Sequence, residues 1–152
     1  MINCYVDGAC CGNGKPNSAG GYGVVVLDNQ ENIISMYQHF EKNTTNNRQE
    51  MKAILYALIN YGKKFIDNKQ ILLTIYSDSA YAINSFTNWR INWKRNGWLK
   101  SDNRPPENLD LILAYDELIQ QGYLANFVQV KGHSGNKWNE LADDLATGRK
   151  TI

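Results

Sequence analysis

The sequence lacks most of the features that would assign it to a specialised class of protein. Its formal net charge is only +1 over 152 residues, so no overall field attracts nucleic acid and any basic surface must be local. No apolar run approaches the length of a membrane span or of a signal-peptide core. The three cysteines have neither the spacing of a zinc site nor the even number of a disulfide framework. We therefore expect a soluble, cytoplasmic protein that is not bound to a membrane.

Hydrophobic periodicity predicts one mixed α/β domain over residues 1–152, a length that can bury roughly two thirds of the unfolded surface. The predicted strands cover residues 2–8, 22–27, 32–40, 71–76 and 124–130. A loop is expected over 8–20 and a hairpin turn over 28–31. The predicted helices cover 46–62, 80–92 and 109–119, and a last helix contains Trp138 and Leu145.

Two aspartates occupy equivalent places at the ends of predicted strands. Asp7 is the last side chain before a turn expected at Gly8, and Asp78 follows the apolar run over 71–76. The helix between these strands predicts parallel pairing through a right-handed crossover, so both carboxylates should lie at one sheet edge. Alone, Asp7 could be a turn residue and Asp78 a helix N-cap. Two acids on one edge favour a site.

Further acids lie on two of the predicted helices. Glu50 is one turn ahead of Ile54 and in line with it, at the edge of the apolar stripe. Alone, it could be a capping-box or helix-dipole partner. On the last helix, Asp143 and Asp144 flank the apolar face on opposite sides. Periodicity leaves open which of these two points toward the sheet edge.

One segment, residues 90–104, is locally basic. It carries five basic residues against the single acid Asp102, a net charge of +4. Trp89, Trp93 and Trp98 interleave with these charges, a pattern suited to contact with phosphates and stacking on sugars or bases. Alternatively, the tryptophans anchor the segment to the core. The basic residues are Arg90, Lys94, Arg95, Lys100 and Arg104.

Four segments, in this order and spacing, resemble the motifs of type 1 ribonuclease H, the bacterial RNase HI type. They are Tyr-Val-Asp-Gly at 5–8, Thr-Thr-Asn-Asn-Arg-Gln-Glu at 44–50, Ser-Asp-Ser at 77–79, and Lys-Gly-His-Ser-Gly at 131–135 with Asn-Glu-Leu-Ala-Asp-Asp-Leu-Ala at 139–146. The resemblance covers nearly the whole chain. It implies an RNase H-like α/β fold with a five-stranded mixed sheet, three parallel strands plus an antiparallel hairpin, flanked by helices and carrying a basic protrusion.

The resemblance also implies an activity and a catalytic set. Members of this family are metal-dependent endonucleases that hydrolyse the RNA strand of RNA/DNA hybrids and leave 5′-phosphate and 3′-hydroxyl ends. We expect a monomer that acts by a two-metal-ion mechanism, with two Mg²⁺ ions, or Mn²⁺, bound together with substrate. The implied metal ligands are Asp7, Glu50, Asp78 and Asp143. The implied role of His133 is to assist proton transfer or product departure.

The implied contacts to substrate lie on both strands of the hybrid. Cys10, Asn13, Asn46 and Asn47 correspond to residues that reach the RNA minor groove, where the 2′-hydroxyl marks RNA. Trp89 would pack against DNA sugars, Thr45 and Asn108 would grip a DNA phosphate, and Lys94, Arg95 and Lys100 belong to the basic protrusion.

The sequence departs from the family pattern at two positions. Asn43 stands where the family often has an arginine, and Ala80 stands where it often has a glutamine. We expect weaker hybrid affinity or compensation by Lys42, without loss of the chemistry.

Two other functions remain to be weighed. A non-catalytic module that only binds RNA/DNA hybrids is the alternative, and the presence of all four acids argues against it. Exonucleases of the same fold generally carry Asp-x-Glu on the first strand, whereas here Asp7 is followed by Gly8 and Ala9.

Overall fold

A computed structural model of the protein describes residues 1–13, 15–70, 72–132 and 135–152. A mixed five-stranded sheet in the order β3-β2-β1-β6-β7 organises these residues. Its first three strands form an antiparallel meander, whereas β1, β6 and β7 run parallel to one another. The predicted architecture of three parallel strands plus a hairpin is therefore confirmed. The strands are β1 (Ile2–Cys11), β2 (Ala19–Leu27), β3 (Ile33–Lys42), β4 (Phe65–Ile66), β5 (Lys69–Gln70), β6 (Leu73–Ser77) and β7 (Asn126–Gln129), with β4 and β5 forming a separate small hairpin.

The helices begin where the sequence offers side-chain caps. Thr45 Oγ1 accepts a hydrogen bond from Arg48 N at 3.1 Å, and Ser79 Oγ accepts one from Ala82 N at 3.0 Å. The predicted helix over 80–92 is interrupted by a π-helical turn at Ser85–Trp89. No helix in the described ranges is long and apolar enough to span a membrane. The helices are α1 (Asn46–Tyr61), α2 (Ala80–Asn84), α3 (Arg90–Arg95), α4 (Leu109–Gln120) and α5 (Lys137–Thr147).

The first strand differs from its prediction. β1 does not end at Asp7 but continues to Cys11, and Asp7 pairs with Gly23 within the β1–β2 ladder. The expected turn at Gly8 is therefore wrong, and the connection to β2 is shorter than predicted. The reason is that β2 extends to Ala19 and pairs with the whole second half of β1. The predicted strand over 71–76 begins at Leu73, and Ile71 lies outside the described residues.

Helices cover both faces of the sheet. On one face, Val6 and Ile75 pack with Ile54 of α1 and Ile112 of α4, all fully buried. On the other face, α5 packs on β1 and β2, with a smaller cluster of buried side chains. β1 is the central strand of the sheet, and its successive residues alternate between these two layers. The members of the smaller cluster are Tyr5, Val25, Leu27, Ala142 and Leu145.

Candidate active site

Asp7 lies where β1 and β6 separate. The parallel ladder between these strands runs as far as the pair Tyr5–Tyr76, and the same register places Asp7 level with Asp78. Asp7 is only 4% exposed, and Asp78 is partly buried. The two acids therefore lie at one sheet edge, as the crossover between parallel strands predicted, although β1 itself continues beyond Asp7.

Glu50 reaches this edge because α1 approaches the backbone of β1 closely at Gly8. A Cβ atom at Gly8 would lie 2.4 Å from Glu50 N and 2.6 Å from the carbonyl carbon of Gln49. Such distances exclude any side chain at Gly8. The missing Cβ therefore serves helix–strand packing, and this packing brings Glu50 beside Asp7.

Asp7, Glu50 and Asp78 form a carboxylate cluster in which one oxygen from each residue lies within 4.8 Å of the others. Burial, the charge of Glu50 and hydrogen bonds with neighbouring carboxylates raise the pKa of Asp7. Burial likewise raises the pKa of Glu50. Glu50 Oε2 is buried and has no hydrogen-bond partner in the described part of the chain. A cluster with this excess of negative charge favours bound protons or cations.

The structure places Asp143, not Asp144, beside the cluster. The carboxylate of Asp143 raises the pKa of Asp7, and its charge raises that of Glu50, so it lies near the cluster although it is not one of the three acids whose oxygens lie within 4.8 Å of one another. Helix α5 reaches this position because Gly23 has no side chain: a Cβ there would lie 2.5 Å from the carbonyl oxygen of Ala142. Asp144 pairs with Arg149 and Lys150 of the C-terminal segment, and Arg149 also pairs with Asp143. The fold thereby separates two acids that periodicity could not distinguish.

The backbone of Gly132 lies against Asp78. A Cβ atom at Gly132 would lie 2.9 Å from Asp78 Oδ2, so this position leaves no room for a side chain beside the carboxylate. Asn136 then starts α5 by accepting hydrogen bonds from Trp138 N and Asn139 N, both at 3.0 Å. His133 lies outside the described residues, and its role stays a prediction.

Four of the residues predicted to contact RNA come together where β1 meets the start of α1. Asn13 Oδ1 accepts a hydrogen bond from Asn46 N at 2.8 Å. The Cys10 thiol lies 3.5 Å from the carbonyl oxygen of Thr44, to which it donates. Asn47 is exposed on the first turn of α1. These side chains form one polar rim, and their contact with a substrate stays a prediction.

Thr45 and Asn108, predicted to grip a phosphate, are connected through Arg48. The backbone of Arg48 is capped by Thr45, and its Nη1 donates to Asn108 Oδ1 at 3.3 Å. Asn108 Nδ2 in turn donates to the Tyr81 hydroxyl at 3.0 Å. Arg48 was not among the predicted contact residues, although it lies inside the motif at 44–50. Its 2.8 Å ion pair with Asp110 of α4 could not be inferred from local pattern.

Beside Thr45 lies a cavity of about 350 Å³, to which Arg48 and Lys15 contribute the basic side chains. Asn43 also lines this cavity and adopts a left-handed backbone with φ of 57°. Its Oδ1 accepts a hydrogen bond from Asn17 N at 3.0 Å. The expected compensation by Lys42 finds no support, because Lys42 at the end of β3 lines a different groove.

The basic segment is less positive in the fold than in the sequence. Lys94 pairs with Asp116 at 2.9 Å, and Lys100 pairs with Glu107 at 3.3 Å. Arg95 is exposed, with no ion pair recorded among the described side chains. Both acids lie outside residues 90–104, so counting charges within the segment overstated its field.

The tryptophans of this region fall into two groups, one that anchors the segment to the core and one that is exposed. Trp93 and Trp98 are partly buried and pack against the core. Trp89 is 37% exposed and lines a shallow cavity together with Asn92 and Trp93.

Comparisons with known proteins identify the family. The RNase H family model matches residues 1–150. A ribonuclease H of Haemophilus influenzae strain 86-028NP is 40% identical over 146 residues, which cover 96% of this chain and 87% of that protein. The crystal structure of LC9-RNase H1, a type 1 RNase H with the type 2 active-site motif, is 27% identical with a TM-score of 0.76, covering 99% of this chain and 73% of that one.

A further structure, LC11-RNase H1 in complex with RNA/DNA hybrid, is similar in fold. It is 23% identical with a TM-score of 0.67, covering 97% of this chain and 95% of that one. The family model spans nearly every residue, and the curated relative is similar along almost its full length. This chain therefore belongs to the RNase H family.

Proposed function

We propose that this protein is a metal-dependent endonuclease that hydrolyses the RNA strand of RNA/DNA hybrids and leaves 5′-phosphate and 3′-hydroxyl ends. The observation that carries the proposal is the carboxylate cluster of Asp7, Glu50 and Asp78, with oxygens within 4.8 Å of one another and Asp143 in contact with it. Membership of the RNase H family supports the same chemistry. The hybrid bound to LC11-RNase H1 supports the choice of substrate.

The residues of the cluster suit hard divalent cations. Carboxylate oxygens are the donors that Mg²⁺ and Mn²⁺ prefer. The buried Glu50 Oε2 has no hydrogen-bond partner in the described ranges, as expected of an atom that awaits a cation. We assign Asp7, Glu50, Asp78 and Asp143 as the ligands. Two ions bound there would lower the pKa of the attacking water and stabilise the charge of the leaving 3′ oxygen.

The side chains around the cluster would position the two strands. In this proposal Cys10, Asn13, Asn46 and Asn47 face the RNA strand, where amide groups can both donate to and accept from a 2′-hydroxyl. The hydrogen bond from Asn46 N to Asn13 Oδ1, at 2.8 Å, holds Asn13 against the start of α1, one helical turn from Glu50. In this proposal α1 thus carries two of the ribose contacts, Asn46 and Asn47, and one metal ligand, Glu50, on one rigid element.

The DNA strand would contact the opposite side of α1. In the cavity lined by Thr45, Arg48 and Lys15, a phosphate would meet the Lys15 ammonium and would share the Arg48 guanidinium with Asp110, which pairs with it at 2.8 Å. Trp89 presents an exposed ring for contact with a deoxyribose. We assign His133 to proton transfer or product departure, as the family resemblance implies.

The test is a cleavage assay on three substrates: an RNA/DNA hybrid, duplex RNA and duplex DNA, each with Mg²⁺ and with EDTA. We expect cleavage of the hybrid alone, only with metal, and ends that a 5′-phosphate-dependent exonuclease accepts. Asp7→Asn should reduce kcat by about a thousandfold or more. The matched control is Glu117→Gln, which neutralises an exposed acid on α4 and should act like wild type.

Two results would refute the proposal. Equal cutting of all three substrates would contradict specificity for the hybrid. Full activity of Asp7→Asn in Mg²⁺ would contradict the assignment of Asp7 as a metal ligand. Tight hybrid binding without cleavage in any metal would establish the alternative, a non-catalytic hybrid-binding module.

The assignment of Asp143 has its own test. Asp143→Asn should lose most activity, because the proposal counts Asp143, whose carboxylate raises the pKa of Asp7, among the metal ligands. Asp144→Asn changes an acid of the same helix turn that faces Arg149 and Lys150, and it should retain most activity. A larger loss for Asp144→Asn would reverse the assignment.

A further inference from the structure

A cation from the C-terminal segment already occupies one of the assigned metal ligands. Arg149 Nη2 donates to Asp143 Oδ2, and Arg149 Nε donates to Asp144 Oδ1 at 2.9 Å. One guanidinium therefore bridges the two acids of α5. A guanidinium stays charged at every relevant pH, so this counter-ion cannot be removed by deprotonation.

The backbone delivers Arg149 to this position. Gly148 follows the last residue of α5, and its φ of 80° reverses the chain. Lys150 N then donates to the carbonyl oxygen of Asp144 at 3.1 Å. Gln38 on β3 fixes the segment further: its Nε2 donates to the carbonyl oxygen of Lys150 at 3.1 Å, and its Oε1 accepts from Ile152 N at 2.9 Å. Because the residues on both sides of Arg149 are held, less conformational entropy opposes its ion pair.

We infer that Arg149 is the counter-ion of Asp143 and competes with divalent metal for this carboxylate. The inference rests on the metal site of the proposed function. A metal ion and the guanidinium cannot both take Asp143 Oδ2, and their like charges repel, so metal that uses this oxygen must displace Arg149. The displaced guanidinium remains at the rim of the site, where a nucleic-acid phosphate offers it another anion. Arg149 would thus lower the metal affinity of the free protein, and it would lower the metal affinity of the substrate complex by a smaller factor.

The experiment is calorimetric titration of the metal-free protein with MgCl₂ and with MnCl₂, without nucleic acid. Arg149→Ala should bind metal roughly fivefold more tightly than wild type, as expected for loss of one exposed competing ion pair. Lys150→Ala is the matched control, since it removes the same charge from the next residue, which lies 3.8 Å from Asp144. Its affinity should stay at the wild-type value. Arg149→Lys should fall between wild type and Arg149→Ala.

Three outcomes would overturn the inference. Unchanged affinity of Arg149→Ala, with weakened binding by Asp143→Asn, would leave the metal site standing and remove only the role of Arg149. Equal tightening by Arg149→Ala and Lys150→Ala would show a general effect of charge. Absence of metal binding by both the wild-type protein and Arg149→Ala would refute the inference, because removal of the competing cation should have opened the site; the metal site of the proposed function is tested separately by the cleavage assay with EDTA. Circular dichroism of each variant in EDTA verifies that the folds are equivalent.

Discussion

Two buried aspartates of this protein have opposite electrostatic surroundings. Asp7 is 4% exposed and Asp116 is 5% exposed, so burial alone would raise the pKa of both. For Asp7 the nearby groups are further carboxylates, and its pKa rises. For Asp116 burial also acts upward, but hydrogen bonds from Lys94 and Arg90 outweigh it, and its pKa falls. Similar exposure to solvent therefore accompanies opposite shifts of the pKa.

The two acids differ in whether the fold supplies a direct counter-charge. Asp116 pairs with Arg90 at 2.5 Å and with Lys94 at 2.9 Å, and these ion pairs connect α3 to α4. Asp7 has no ion pair among the described residues, and the basic side chain beside the cluster, Arg149, pairs with Asp143 instead. A buried acid without its own counter-charge costs stability, and the proposed metal ions would supply that charge.

Breaking the balanced arrangement should have the largest effect on stability. Asp116→Ala leaves Arg90, whose side chain is only 13% exposed, without its carboxylate. We expect a loss of about 3–5 kcal/mol in the free energy of unfolding, measured by urea denaturation. The control is Asp110→Ala, which removes an ion pair whose acid is 63% exposed and should cost at most about 1 kcal/mol. Equal losses would contradict the comparison.

The acidic arrangement depends on the close approach of two backbones, which Gly8→Ala would disrupt. The new Cβ would lie 2.4 Å from Glu50 N, so α1 must shift away from β1. We expect a loss of roughly 2–4 kcal/mol in the free energy of unfolding. Gly97→Ala is the matched control, because its φ of 66° strains the backbone while no described atom lies within 4 Å of the new Cβ. Its cost should be roughly 1 kcal/mol, and a cost as large as that of Gly8→Ala would refute the packing argument.

Removing the carboxyl of Asp7 should raise the free energy of unfolding, whereas the two preceding substitutions lower it. Asp7→Asn keeps the size of the side chain and removes the carboxyl that the folded state must keep protonated at pH 7, so without metal it should raise the free energy of unfolding by about 1–3 kcal/mol. The raised pKa values of Asp7 and Glu50 mean that the folded state holds protons the unfolded state has lost. Wild-type stability should therefore fall as pH rises from about 4 toward neutral.

Two measurements check this sign. Thermal denaturation in EDTA at pH 4 and pH 7 should show that the advantage of Asp7→Asn shrinks at the lower pH. Adding Mg²⁺ at pH 7 should stabilise wild type more than Asp7→Asn, because a cation replaces the missing counter-charge. A variant that is less stable than wild type without metal at pH 7 would count against an electrostatic cost at Asp7.

Much of the fold and part of the site could be predicted from the sequence. Alternation in β1 and the apolar stripe of α1 are local properties, and local patterns record them. The N-cap of α2 is Ser79 and not Asp78, for which the sequence had offered that role. The shared edge of Asp7 and Asp78 followed from chirality, since a helix between two parallel strands fixes the direction of both. These predictions needed no knowledge of which distant residues touch.

The errors arose where a residue acts through a distant partner. Gly8 was assigned to a turn because a missing Cβ permits either a turn or close packing, and its partners Gln49 and Glu50 are some 40 positions away. The charge count for residues 90–104 omitted Asp116, which lies outside that window and pairs with Lys94. Local pattern carries no information about such contacts.

The smallest predicted effect separates the two roles that the basic segment combines. Arg95 has no ion pair among the described side chains, whereas Lys94 shares Asp116 with Arg90. If exposed Arg95 meets a phosphate of the hybrid, Arg95→Ala should raise KM roughly threefold and reduce by about one the slope of log kcat/KM against log salt concentration. Lys94→Ala should instead lower stability by about 1 kcal/mol and change the slope less, because its ammonium is already paired. Both variants remove one positive charge from the same turn of α3, so a general effect of net charge would give them equal slopes. Equal slopes would mean that pairing with Asp116 does not withdraw Lys94 from the substrate.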